Sequence, residues 1–344
     1  MKKRHLLGGL LNVIPFGLNR QFRKMRFGEY LTVLCYHRIL DRPANFPYDD
    51  DLVSASADQF AGQLDFISKH YNVINFKDLR LRLDGEGALP GNSLIITFDD
   101  GYIDNYEIAW PLLKMRGLTA TMFVTTGFIG RSRMFWWDEI AYIIKTTRAD
   151  HLELENPVQV SLALGSRESR QEPARILIKK AKLLTDDAKE TLIDELSEKL
   201  NVAIDESEHR LTMTWEQLRE LDESGIEIGA HSVNHPIFSN IEEERLRTEI
   251  AHSKEMIENE LGGEIITFGA PGRGILSPQE RARFEKLLRK IVTECGYRFS
   301  TQYRWGLVYA RDFDAYRIGR LGIESYDTKT SFKAKLSYPE IISY

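Results

Sequence analysis

Apolar and polar positions along the chain fall into two alternating rhythms. "YLTVLCYHRI" (30–39) is a nearly continuous run of β-formers and predicts a strand ending at Tyr36 and His37. "SADQFAGQLDFISKHY" (56–71) then spaces Phe60, Leu64 and Ile67 as a helix does, with Ser56 at the N-cap. "NVINFKDLRLRL" predicts a short strand and a helix, "SLIITF" (93–98) a buried strand, and "YIDNYEIAWPLLKMRG" a helix that stops at Gly117. "TATMFVTTGFIG" is the next strand. Strands and helices alternating through short connections predict an α/β fold with parallel strands. In such folds chemistry collects where strands end at their carboxyl side, which is where His37, Asp99 and Asp100 fall.

From "MFWWDEIAYIIKTTR" to about Arg210 the rhythm gives way to a polar, Lys/Glu-rich helical pattern, and a mostly helical insertion over about 140–211 is expected. "TMTWEQLRELDESGIEIGAH" restores the helix-to-strand order. A long helix follows over "IFSNIEEERLRTEIAHSKEMIENELGG", with Gly262 as its stop, and strands return at "ITFGAPG", "YRFST" and "YRIGRLGI". The expected organisation is an N-terminal segment (1–30), one domain with its insertion (31–330) and a tail (331–344).

Composition narrows the functional classes. With 42% hydrophobic and 28% charged residues the 344-residue chain is ordinary globular material, and a net charge of -5 gives no electrostatic reason to expect a nucleic-acid partner. Cys35 and Cys295 have neither a disulfide framework nor a metal-ligand spacing, so both are read as reduced thiols, Cys35 as a small buried apolar side chain. The start, "MKKRHLLGGLLNVIPFGLNRQFRK", is basic and apolar, but it is interrupted by Asn12 and Pro15 and lacks a cleavage pattern. Two readings stand for it: a helix packed on the domain, or a segment lying on an anionic membrane surface. A cytoplasmic location, with peripheral membrane association through this segment, is the expectation.

Two constellations carry the candidate chemistry. "TFDDGY" places Asp99 and Asp100 side by side after a strand, where their charges repel. "HSVNHP" places His231 and His235 four residues apart after another strand, able to aim two imidazoles at one point. Two histidines and one carboxylate are the ligand set of a catalytic zinc-type site, and a second acid beside them can serve as base. A cation there would make the adjacent carboxylates tolerable.

These two motifs resemble the first two motifs of the polysaccharide deacetylases with NodB homology, carbohydrate esterase family 4: TFDDG followed by H-(S/T)-x-x-H-P. The likeness runs from about Leu31 to Leu321, the insertion apart, and "CYHRI" matches a strand found in many members. The resemblance implies a distorted (β/α) barrel with one divalent metal ion, zinc by this ligand set, at its carboxyl face. It implies Asp100, His231 and His235 as ligands, Asp99 as general base, and removal of N-acetyl groups from a sugar in a polysaccharide or glycolipid, with release of acetate.

The third family motif is altered. "TFGAPGRG" keeps Phe268 and Pro271 but has Gly269 where the family arginine stands. Gly272 falls where a backbone N–H faces the oxyanion, and Arg273 is a candidate for the missing charge or else a solvated loop residue. The late family histidine, which protonates the leaving amine, is absent, since no histidine follows His252. "YRIGRLGIE" occupies that stretch, and the proton is left to come from His37, for which a hydrogen-bonded structural role is the alternative, or from the protonated Asp99 itself. Trp137 in "FWWDEI" is a candidate sugar platform or core beneath the insertion. A hydrolase of a non-sugar amide or imide, and a catalytically weakened carbohydrate-binding protein, remain the competing functions.

Overall fold

A computed structural model describes residues 16–85, 90–166, 169–272, 274–302 and 305–339. Nine strands form one sheet: β1 (Tyr30–Tyr36), β2 (Asn72–Val73), β3 (Ser93–Phe98), β4 (Thr121–Val124), β5 (Glu227–Ala230), β6 (Thr267–Gly269), β7 (Phe299–Thr301), β8 (Val308–Tyr309) and β9 (Leu321–Gly322). Its main path runs β7-β6-β5-β4-β3-β1-β8, with β2 beside β3 and β9 beside β1. Every pairing is parallel except β1 with β8. The sheet curls back on itself through residues 315–322. Ile318 bridges Thr301 of β7, and just beyond it Leu321 and Gly322 pair with Leu34 and Cys35 of β1. The result is the expected distorted barrel.

Period-two alternation sorts each barrel strand. Leu34, Tyr36, Leu94, Ile96 and Phe98 face outward into a core shared with Phe60, Leu64, Ile67, Leu218 and Ile250 of the surrounding helices. Leu31, Val33, Ile95, Phe123, Ile266, Phe299 and Ile318 form a separate inner core. Continued toward the carboxyl ends, the inner rows change character, from Val33 to Cys35 and His37, from Ile95 to Thr97 and Asp99, and from Ile318 to Arg320. The polar floor of the site is thus the top of the barrel interior.

Local signals act as read. Ser56 caps the helix Ala57–His70 in a capping box with Gln59, and Gly262 ends Glu243–Leu261 at φ 73°. The insertion differs in one respect. Between the helices Trp136–Thr146 and Gln171–Ala181 lies an antiparallel hairpin, His151–Leu154 with Val160–Ala163. In the first of these strands His151 and Glu153 face solvent while Leu152 and Leu154 are buried. The surrounding Lys/Glu-rich helices hide that alternation in the sequence. With Asp186–Leu200 these elements enclose their own core of Ile140, Ile144, Leu177, Leu192 and Leu196.

The first and last helices of the described residues pack on the barrel. The helix Phe16–Phe27 sends the Arg23 guanidinium to the Tyr309 hydroxyl (2.8 Å) and the Ser337 carbonyl (2.6 Å). Residues read as a tail from 331 belong to a helix, Lys329–Ser337, that buries Phe332 and Leu336. Residues 1–15 lie outside the described residues.

Candidate metal and catalytic centre

Asp99 ends the inner row of β3, and its backbone N–H donates to the Tyr36 carbonyl at 2.9 Å. Alternation alone would point Asp100 away from the site. Instead Asp100 adopts φ 76°, a left-handed conformation that aspartate tolerates better than most residues, and the chain turns its carboxylate back inward. Gly101 follows at φ 84°, and a Cβ there would lie 3.1 Å from Ile129 Cδ1 and 3.2 Å from Val124 Cγ1. The D-D-G order is therefore a requirement of the turn as well as of the chemistry.

The two acids meet different partners. Asp99 takes a fork of hydrogen bonds from Arg320, Nη1 to Oδ1 at 2.6 Å and Nη2 to Oδ2 at 2.7 Å. Burial works against its charge, but the Arg320 guanidinium, joined by His231 and His37, holds the carboxyl well below the usual range. Asp100 Oδ1 lies 3.4 Å from His231 Nε2 and 3.4 Å from His235 Nε2. That oxygen is buried and has no hydrogen-bond partner.

His231 Nδ1 lies 2.6 Å from the Gly269 carbonyl. A carbonyl only accepts, so Nδ1 carries the proton and Nε2 presents a lone pair toward Asp100. His235 Nδ1 is buried without a hydrogen-bond partner, and the ring is held by packing: Trp137 meets it edge-on at 4.6 Å and Phe135 at 6.1 Å. Burial pushes its pKa down to about 3, leaving the imidazole neutral as a ligand must be. For His231 burial acts in the same direction, but Asp99 and Asp100 carry its pKa upward. A buried carboxylate oxygen lacking a donor and two imidazole nitrogens facing it fit a divalent cation, since that oxygen would otherwise stay unsatisfied.

Supporting residues explain the loops. The Glu249 carboxylate accepts from the backbone N–H of Val233 (2.9 Å) and Asn234 (2.7 Å), pinning the turn between the histidines. At Gly269 a Cβ would sit 2.7 Å from Phe123 Cγ and 3.0 Å from His231 Nδ1. An arginine is excluded from that position by packing, and the cation on Asp99 comes from Arg320 across the barrel. Sequence reasoning missed Arg320 because it sought the charge beside the altered motif. The inner-row alternation through Ile318 was the signal available.

The other expected residues separate. The His37 imidazole sits with Cys35 and Asp99, one ligand atom of each lying within 4.8 Å of the others. Its backbone is tied down through its N–H to Ser54 Oγ (2.9 Å) and its carbonyl to Asn105 Nδ2 (2.7 Å). Trp137 is 6% exposed; its Nε1–H donates to the Tyr102 hydroxyl (2.9 Å), which donates to Asp138 Oδ2 (2.7 Å). Pro271 is buried, Gly272 is half-buried with open space where a Cβ would be, and Arg273 lies outside the described residues.

Known proteins resemble this chain in sequence or in fold. A family model described as polysaccharide deacetylase matches residues 86–156 and 189–300, and its break falls inside the insertion. The Staphylococcus aureus poly-beta-1,6-N-acetyl-D-glucosamine N-deacetylase is 30% identical over 131 residues, which are 35% of this chain and 44% of that protein. The chain thus matches less than half the length of that curated relative. Among solved structures, the Streptococcus pyogenes deacetylase PplD in complex with acetate aligns with a TM-score of 0.55 at 18% identity, covering 90% of this chain and 97% of that one. IcaB from Ammonifex degensii aligns with a TM-score of 0.53 at 20% identity over the same shares. At these identities the structural likeness is one of fold. The sequence match extends over more than half of the chain and takes in both Asp99–Asp100 and His231–His235, so the chain belongs to the polysaccharide deacetylase family.

Proposed function

We propose that this protein is a metal-dependent hydrolase that removes N-acetyl groups from a sugar unit of a polysaccharide or glycolipid and releases acetate. The observation that carries the reading is the division between the adjacent acids: Asp99 is clamped by Arg320, while Asp100 faces two imidazoles with an oxygen left unsatisfied. The amino-sugar substrate named for the S. aureus relative supports an acetamide on a sugar as the group attacked.

Asp100, His231 and His235 would hold the ion, with zinc favoured by two imidazoles and one carboxylate. When bound it supplies Lewis acidity, polarising an acyl oxygen and acidifying water. Asp99, kept ionised by Arg320, accepts the proton of the attacking water as general base. His37, on the same rim, donates a proton to the departing amine. Gly272 has open space where a side chain would be, which would let its backbone N–H approach the developing oxyanion. Trp137 supports His235 and borders the sugar-binding side.

The test is acetate release from a panel of N-acetylated glycans and glycolipids, with and without a chelator. Chelator-sensitive release from at least one sugar substrate is expected. Chelator-resistant release, or hydrolysis confined to non-sugar amides, would overturn the reading. We propose further that the helix Phe16–Phe27 and the basic residues preceding it rest on an anionic membrane surface.

A further inference from the structure

We infer that the mouth of the barrel holds a second, inhibitory metal site formed by Cys35, His37 and Asp99, taking a thiophilic divalent ion such as zinc. The three residues end two neighbouring inner rows. Cys35 and His37 lie along β1 and its carboxyl end, and Asp99 follows β3, whose Thr97 is in register with Cys35. One ligand atom from each lies within 4.8 Å of the other two, and Cys35 Sγ is 3.5 Å from Asp99 Oδ2. Cys35 is 4% and Asp99 3% exposed, while His37 is half-buried on the rim, so an ion would enter past the imidazole. A sulfur, a nitrogen and a carboxylate oxygen form a set that selects zinc or cobalt over magnesium or calcium.

The two sites would be neighbours. Asp99 Oδ2 is 3.9 Å from His231 Nε2, and Asp99 precedes Asp100 directly in sequence. Filling order follows from the partners. The oxygen of Asp100 that faces the histidines has no donor to give up, whereas Asp99 is already satisfied by Arg320. An ion at the second site must draw Asp99 partly away from that guanidinium, so it binds more weakly and only after the first site is full. On binding, the Cys35 thiol releases its proton to solvent and the sulfur becomes a thiolate ligand; no other bond changes. Cys35 has no part in the proposed reaction, but the ion it helps to hold would occupy Asp99 and His37, the groups that move protons. Excess zinc would thereby switch hydrolysis off while leaving the first ion in place.

This inference rests on the deacetylase reading for its effect on activity but not for binding. Protein loaded with one equivalent of metal is titrated with Co2+ and, separately, with Zn2+. A second equivalent should bind, and a thiolate-to-cobalt charge-transfer absorption should accompany it and not the first. Acetate release should fall as it fills. In Cys35→Ser, and in Cys35→Ala as a control against a folding defect, loss of a direct ligand should weaken the second ion by at least the roughly 10–100-fold that loss of an outer partner costs. The variants should lack the charge-transfer band and keep their activity in excess zinc. Saturation of the wild type at one equivalent, or an unchanged second equivalent and unchanged inhibition in both variants, would overturn the inference. A second equivalent with its band but no acetate release from any substrate would uphold the site and count against the deacetylase reading instead.

Discussion

Asp99 is nearly fully buried, and a carboxyl in such a place is ordinarily pushed toward its protonated form. The Arg320 guanidinium, with His231 and His37, reverses this, so Asp99 stays ionised across the whole useful pH range. Arg320→Met removes the cation and leaves the burial. The Asp99 pKa then rises, and the acid limb of kcat/KM should move to higher pH, with activity at pH 5–6 falling relative to pH 8. A pH profile parallel to the wild type would remove Arg320 from this role. His37→Gln should lower kcat by about 10²–10⁴-fold, the range for loss of general acid–base help, and alter the alkaline limb while metal content stays at the wild-type level. Lowered stability with an unchanged profile would make His37 structural. At this scale the cluster of Asp99, Asp100, His231 and His235 was legible, because "TFDDG" and "HSVNHP" each occupy a few consecutive positions. Arg320 was not, because its partner lies 221 positions earlier and only the closure of the barrel joins them.

The helix Phe76–Leu83 begins against a carboxylate from another element. Glu227, at the start of β5, accepts from the Phe76 N–H at 2.6 Å, from Thr121 Oγ1 at 3.0 Å and from Thr267 Oγ1 at 3.3 Å. Burial raises its carboxyl from the usual 4.5 to about 7. The folded chain therefore keeps a proton that the unfolded chain releases between those values. Stability contributed below pH 4.5 declines as pH rises through the window and levels off above 7. Glu227→Gln should flatten this decline, by at most about 3 kcal/mol between pH 4.5 and 8 in urea melts, and parallel stability profiles would contradict it. Nothing in "GIEIGAH" announces a cap, since the start of the helix it serves lies 151 positions upstream. The helix Phe16–Phe27 was half legible. Arg20 and Arg23, two of the basic residues of this segment, turn inward, to the His70 carbonyl and to Tyr309 and Ser337, and Lys24 pairs with Glu29. Leu18, Phe22 and Met25, spaced along one stripe, are 48%, 63% and 84% exposed. If that stripe meets lipid, Phe22→Glu should weaken salt-sensitive co-sedimentation with anionic vesicles and leave hydrolysis of a soluble substrate unchanged. No binding by the wild type at low salt would leave it a packing helix.

The molecule as a whole is a barrel whose interior is apolar below and ionic above, with the insertion joined to it at an aromatic seam. Phe128, Phe135 and Trp137 stack in succession there, at 4.1 and 4.7 Å, and Trp137 ends against His235. The alternation of strands and helices could be read from periodicity because parallel strands buried on both faces form continuous apolar runs. The barrel's closure could not, because it depends on the isolated Ile318 bridge and on the two-residue strand β9, too short for any periodic signal. The division of labour between the two acids is tested most directly by measuring metal content and acetate release on the same preparations of Asp99→Asn and Asp100→Asn. Asp99→Asn should retain about one divalent ion per chain and lose about 10²–10⁴-fold in turnover, while Asp100→Asn should lose the ion. Equal metal loss in both variants, or full activity in Asp99→Asn, would contradict the account.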